Sequence, residues 1–140
     1  MTAEELLDKG TDYLYGFGDV DKDYEQAMNH FIKSLDAGSI KVMNEIGFMY
    51  QYGYGVLKNK SEAVKWYRRG AELGDTDSMN SLADCLLKGL GTDKNVDEAV
   101  KLYTKAAELG NFNRVQELAT CLIKYFGDES TAYKWLKKKL

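Results

Sequence analysis

Few residues of this 140-residue sequence could carry covalent or metal chemistry, and each has a plainer use. Asp19, Asp21 and Asp23 alternate like the carboxylates that open a calcium loop. The sixth position of such a loop is Tyr24, where a sharp turn needs glycine, and the twelfth is His30, where a bidentate glutamate is needed. A solvated turn in which Asp23 caps the next helix accounts for the same residues. The G-x-G sequences at 16–18, 53–55 and 89–91 could let backbone approach a phosphate. A phosphate loop follows a strand and occurs once, so three copies at a fixed spacing read as turn chemistry. His30 is the one candidate general base, and it stands where Trp66, Leu102 and Trp135 stand in the other repeats, which favours packing. Cys85 and Cys121 are one repeat apart, too far for a disulfide, and read as free, partly buried thiols. No Ser-x-x-Lys and no C-x-x-C occurs. The reading is therefore of no catalytic residue, no metal and no cofactor.

The elements that would position any site follow from composition and period. With 44% apolar and 29% charged residues, the chain suits one globular domain, and a disordered chain or a disulfide framework is excluded. The net charge of −3 argues against a phosphate-backbone binder, so nucleic acid is not expected. No stretch approaches a membrane span, and the acidic start is unlike a secretory signal, so with Met1 as the native start the chain is expected in the cytoplasm with no membrane partner. Residues 1–36 hold nine acids against Lys9, Lys22 and Lys33, whereas residues 124–140 hold five lysines against Asp128 and Glu129. The plain reading is that Lys134, Lys137, Lys138 and Lys139 complement the negative end of a terminal helix. The sharper one is weak, salt-sensitive end-to-end self-association.

A period of 36 organises the sequence: residues 39–74 align without gaps on 75–110, with 15 identities in 36 positions. The pattern recurs upstream with a one-residue deletion and downstream with a three-residue deletion. Four units of a single repeat domain, 1–38, 39–74, 75–110 and 111–140, fill the chain, the last a shortened cap that keeps only Gly127 of the turn.

Within a unit the apolar residues fall at helical spacing, as in Met43, Ile46, Gly47 and Tyr50, then Ala63, Trp66, Tyr67 and Ala71. Each unit is thus two helices. Asp23 with Gln26, Asn59 with Glu62 and Asn95 with Glu98 have capping-box spacing, which satisfies orphan amides from both sides. Gly38, Gly74 and Gly110 close the second helices. Gly10, Gly47 and Gly70, replaced by alanine in later units, mark close helix approaches. A two-helix unit cannot bury its own apolar face, so the units must stack on one continuous core. The expected fold is an all-α solenoid, a right-handed superhelix of about eight antiparallel helices.

The unit resembles the tetratricopeptide repeat, but its length and its G-x-G turn are more similar to the Sel-one-like repeat family. The resemblance is carried by Ile46, Gly47, Tyr50, Gly53, Gly55, Val56, Ala63, Trp66, Ala71 and Gly74, and again by Leu82, Gly89, Gly91, Ala99, Ala106, Ala107 and Gly110. The chain lacks the proline often found after the turn and the paired cysteines of the family's secreted branch. The resemblance implies an adaptor that grips a peptide or partner helix in a concave groove lined by the first helix of each unit. By register those positions are Lys41, Asn44, Phe48, Gln51 and Tyr52; Asp77, Asn80, Asp84, Leu87 and Lys88; and Asn113, Gln116, Thr120, Ile123 and Lys124. The first unit offers Glu4, Leu7, Thr11, Leu14 and Tyr15. Asn44 and Asn80 form the leading pair, since stacked amides can satisfy an extended peptide's N–H and C=O, with Phe48 and Tyr52 as apolar anchors. The alternatives are a weak hydrolase, since some relatives of this kind have been linked to β-lactams, and a structural self-assembling unit.

Overall fold

The computed structural model describes all residues, Met1–Leu140. It consists of eight helices and no strand: α1 (Ala3–Tyr15), α2 (Tyr24–Asp36), α3 (Val42–Tyr52), α4 (Lys60–Glu72), α5 (Thr76–Lys88), α6 (Val96–Glu108), α7 (Val115–Phe126) and α8 (Glu129–Lys139). Packing is most extensive within the pairs α1/α2, α3/α4 and α5/α6, and each pair packs on the next through α2/α3, α4/α5 and α6/α7. The result is the all-α solenoid that the repeat demands.

The starts of the second helices differ in one respect from the expected capping boxes. Asp23, Asn59 and Asn95 accept from the amides of Gln26, Glu62 and Glu98 at 3.0–3.1 Å, as the spacing requires. The reciprocal bond is made elsewhere: the amides of Asp23, Asn59 and Asn95 donate to the carbonyls of Tyr13, Tyr50 and Leu86 on the preceding helix, at 2.8–2.9 Å. With that amide already satisfied, Glu98 is free to cross to Arg68 of the neighbouring unit at 2.9 Å. A complete capping box occurs only at Thr2 with Glu5.

The close approaches are where the small residues stand. A Cβ on Gly47 would stand 2.5 Å from the Tyr67 ring, and one on Gly10 would stand 2.5 Å from the Phe31 ring. Gly91, at φ 70°, has no room for a Cβ because the Lys60 backbone presses on it. The G-x-G turn therefore serves two purposes: its left-handed backbone reverses the chain, and its second glycine seats the turn on the first residues of the previous unit's second helix.

The expected single continuous core is instead two clusters. Leu14, Ala27, Met28, Phe31, Val42, Ile46 and Met49 form the first, and 17 buried residues from α4 to α8 form the second. Tyr50 packs against both. The break falls between α3, whose Val42, Ile46 and Met49 join the first cluster, and α4, whose Ala63, Val64, Tyr67 and Ala71 join the second.

Candidate functional site

The odd-numbered helices place the groove positions one repeat apart, and the structure sorts them by depth. Lys41, Tyr52, Lys88, Asn113, Gln116, Thr120 and Lys124 are exposed, while Asn44, Phe48, Gln51, Asp77, Asp84, Leu87 and Ile123 are half-buried. Two expected positions lie beneath the surface. Leu14 is packed in the first core cluster. Asn80 is only 4% exposed, and neither atom of its amide has a hydrogen-bond partner.

The Asn44 and Asn80 ladder is therefore not an open pair. Asn44 Oδ1 accepts the Ser81 hydroxyl at 2.6 Å across α3 and α5. One repeat on, Asn80 has Glu117 in the place of Ser81, and Glu117 Oε2 is likewise buried and without a partner. Register fixes the direction of a side chain on a helix, but depth depends on what the neighbouring unit supplies.

Two buried tyrosines of the second helices reach the groove residues. The Tyr67 hydroxyl donates to Gln51 Oε1 and the Tyr103 hydroxyl to Asp84 Oδ1, both at 2.6 Å. Burial raises the pKa of both phenols well above the ordinary tyrosine value, which keeps them as donors. The two tyrosines are equivalent, yet their acceptors differ by one helical turn: Tyr67 lies over Gly47 and reaches the later position, and Tyr103, facing Ala83, reaches the earlier one. In the outer units Phe31 and Leu136 stand in their place and no hydroxyl needs an acceptor.

Asp84 also holds Arg114, whose Nε lies 3.1 Å from Oδ2. Burial pulls the Arg114 guanidinium down in pKa, and Asp84, with Glu117 and Tyr103, more than offsets this, leaving it raised. Asn111 Nδ2 donates to Asp77 Oδ1 at 2.8 Å. Burial, with Asp77 nearby, holds the Glu45 carboxyl above the usual carboxylate range. Arg114, Ser81, Tyr67, Tyr103 and Glu45 were not singled out as site residues from the sequence. The tyrosines recur at one register, but their acceptors do not, since the counterparts of Asp84 and Gln51 are Phe48 and Leu87.

At the ends of α1 and α3 the aromatic residues gather. Phe48 meets Tyr52 at 4.8 Å and Tyr54 at 5.6 Å between ring centres, and Tyr54 stacks on Tyr24 at 4.6 Å. Tyr15 stacks on Phe17 at 5.2 Å. Tyr52 remains 51% exposed, so the cluster presents a ring to solvent. His30 packs at 5.2 Å from the Tyr13 ring with Nδ1 2.7 Å from the Gln26 carbonyl oxygen. Cys85 is buried and Cys121 half-buried, and both are free thiols. The odd-numbered helices and their turns thus carry donors, acceptors and apolar rings.

Comparison with known proteins agrees with this architecture. The Sel1 repeat model matches residues 10–39, 40–75, 76–111 and 123–138. No curated protein sequence gives a significant match. Among solved structures, a Sel1 repeat protein from Oxalobacter formigenes is similar at a TM-score of 0.86 and 28% identity, over 99% of this chain and 56% of that one. A protective antigen of uropathogenic Escherichia coli strains, displaying an SLR fold, is similar at 0.78 and 27% identity, over 98% of this chain and 30% of that one. Helicobacter pylori cysteine rich protein B shares the fold at 0.60 and 23% identity, over 79% of this chain and 92% of that one. The chain thus spans about half the length of the first of these proteins and less than a third of the second.

Proposed function

Since the chain belongs to the Sel1 repeat family, whose members are generally protein-interaction modules, we propose that it is an adaptor gripping an extended peptide or partner helix along its odd-numbered helices. Its partner is a protein, and the contact surface runs from Lys41, Asn44, Phe48 and Tyr52 past Asp77 and Asp84 to Asn113, Gln116, Thr120 and Lys124. Two observations carry this reading: the buried side-chain atoms of Asn80 and Glu117 that have no partner, and the aromatic cluster at the end of α3 that leaves Tyr52 exposed. Buried polar groups without partners cost about 1–3 kcal/mol each, and a segment supplying hydrogen bonds would recover it. Asn80 contributes from beneath the surface, by way of a bound main chain or a water. Catalysis plays no part in this reading.

The test is selection of binding peptides from a random 12-residue display library, followed by affinity measurements on Tyr52→Ala and Gln116→Ala, both exposed positions. Selected peptides should lose about tenfold or more in affinity for at least the Tyr52 variant, as anchor residues do. Unchanged affinity for both would place the binding surface elsewhere.

A second reading, end-to-end self-association, is favoured by the opposite charges of the two ends. Residues 1–36 are strongly acidic, and the last turn of α8 carries Lys137, Lys138 and Lys139. Loss of self-association with rising salt would be its signature.

A further inference from the structure

The repeats show what a G-x-G turn is for, and two parts of the chain are left without their counterpart. The turn of the second unit sits on the start of α2: Tyr54 stacks on Tyr24, and a Cβ on Gly55 would stand 3.1 Å from the Tyr24 carbonyl oxygen. The turn of the third unit sits in the same way on the start of α4, where Gly91 meets the Lys60 backbone. The fourth unit has lost this turn, so the start of α6 has nothing seated on it. Its first residue, Val96, is 38% exposed, and Val100 is half-buried where its equivalents Met28 and Val64 are buried. Two adjoining cavities of about 480 and 340 Å³ open at this place, sharing Val96, Cys121 and Tyr125. Conversely, the turn of the first unit is seated on no helix of the structure. Phe17 is 55% exposed, and nothing lies within 4 Å of where a Cβ on Gly18 would be.

We propose that the Gly16–Phe17–Gly18 turn of a second copy of this chain docks on the exposed start of α6, with Phe17 entering the cleft between Val96, Val100 and Tyr125. The inference rests on the self-association reading and gives it a surface. Charge favours the match: Lys94, Lys101 and Lys124 line the cleft against Asp97 and Glu117, while Asp12, Asp19, Asp21 and Asp23 surround the turn with Lys22. The contact is heterologous, since the turn lies in the first unit and the seat in the third, so each copy offers one turn and one seat. Chains of copies, rather than closed pairs, are the expected product unless the rotation closes a ring.

Sedimentation velocity over a range of concentrations at low salt tests this. Wild type should associate, and Phe17→Asp and Val96→Asp should each weaken association at least about tenfold. Both sites are exposed, and an acid suits the first turn of a helix, so both variants should fold; Phe17→Ser and Val96→Ser serve as substitutes if either melts early. The decisive experiment mixes the two variants. Phe17→Asp keeps an intact seat and Val96→Asp an intact turn, so the mixture should recover a single dimer and nothing larger. Salt-sensitive association that neither variant alters would overturn this surface while leaving end-to-end association standing. A wild type that stays monomeric at low salt and high concentration would overturn both.

Discussion

Replacing Gly47 by alanine probes the crossing of α3 and α4 directly. The added Cβ would lie 2.5 Å from Cε1 and 2.7 Å from Cδ1 of Tyr67, against a normal carbon contact of about 3.5–4.0 Å. The ring must retreat by about 1 Å, and it is 2% exposed with its hydroxyl held on Gln51 at 2.6 Å. Overpacking of this kind costs about 1–3 kcal/mol. The strained phenol bond adds about 1 kcal/mol. Alanine in place of glycine within a helix returns about 1 kcal/mol. The net is a loss of about 1–3 kcal/mol, which at roughly 4 °C per kcal/mol for a chain of this length lowers Tm by about 4–12 °C. The same substitution in a Tyr67→Leu background reproduces the pairing of Ala119 with Leu136 and should be neutral, or stabilising by up to about 1 kcal/mol. Urea unfolding of the four proteins gives the coupling energy. An effect of the same sign and size in both backgrounds would refute the assignment of the cost to the Tyr67 ring.

Three further outcomes follow from particular contacts. Gly91→Ala should destabilise more than Gly18→Ala: both have φ near 70°, but only Gly91 is pressed by backbone, so Gly18→Ala should cost only the left-handed penalty of about 1–2 kcal/mol; equal losses in urea unfolding would contradict the seated turn. Burial, with Asp84 beside it, pushes the Cys85 thiol up to about 11, and burial raises Cys121 less markedly, so a disulfide reagent at pH 8 should titrate Cys121 first and Cys85 only on unfolding; rapid modification of both in the folded protein would count against the packing. Because burial holds the Glu45 carboxyl above its unfolded value, the stability it contributes is complete below that unfolded value and is lost as pH rises through the folded one. Glu45→Gln should therefore be more stable than wild type at neutral pH, with the gap closing as pH falls towards about 4; a gap independent of pH would refute the assignment.

The period, the helix pairs and the closing glycines could be read from the sequence because each depends on local chemistry that recurs in register. Asn59 before Glu62, or Gly74 after Leu73, has the same meaning whatever surrounds it. Depth could not be read in this way. Asn44 and Asn80 share a register, yet the first bonds the short Ser81 while the counterpart of Ser81 in the next unit is the longer Glu117, and only Asn80 is buried without a partner. The second glycine of each turn is identical in sequence across three units, and its packing role is visible only where a preceding helix exists. Capping boxes of the right spacing lost their reciprocal half because the folded hairpin offers a better acceptor for the same amide.

That last substitution reaches beyond helix ends. In three units the angle between the paired helices is pinned by main-chain bonds from Asp23, Asn59 and Asn95 that start and finish inside one hairpin. No side chain takes part in these bonds, so they form whether Phe48 or Asp84 occupies the same station. Recognition can drift along such a chain while these bonds within each hairpin persist. Selection for a new partner then acts on a ruler whose divisions it cannot move.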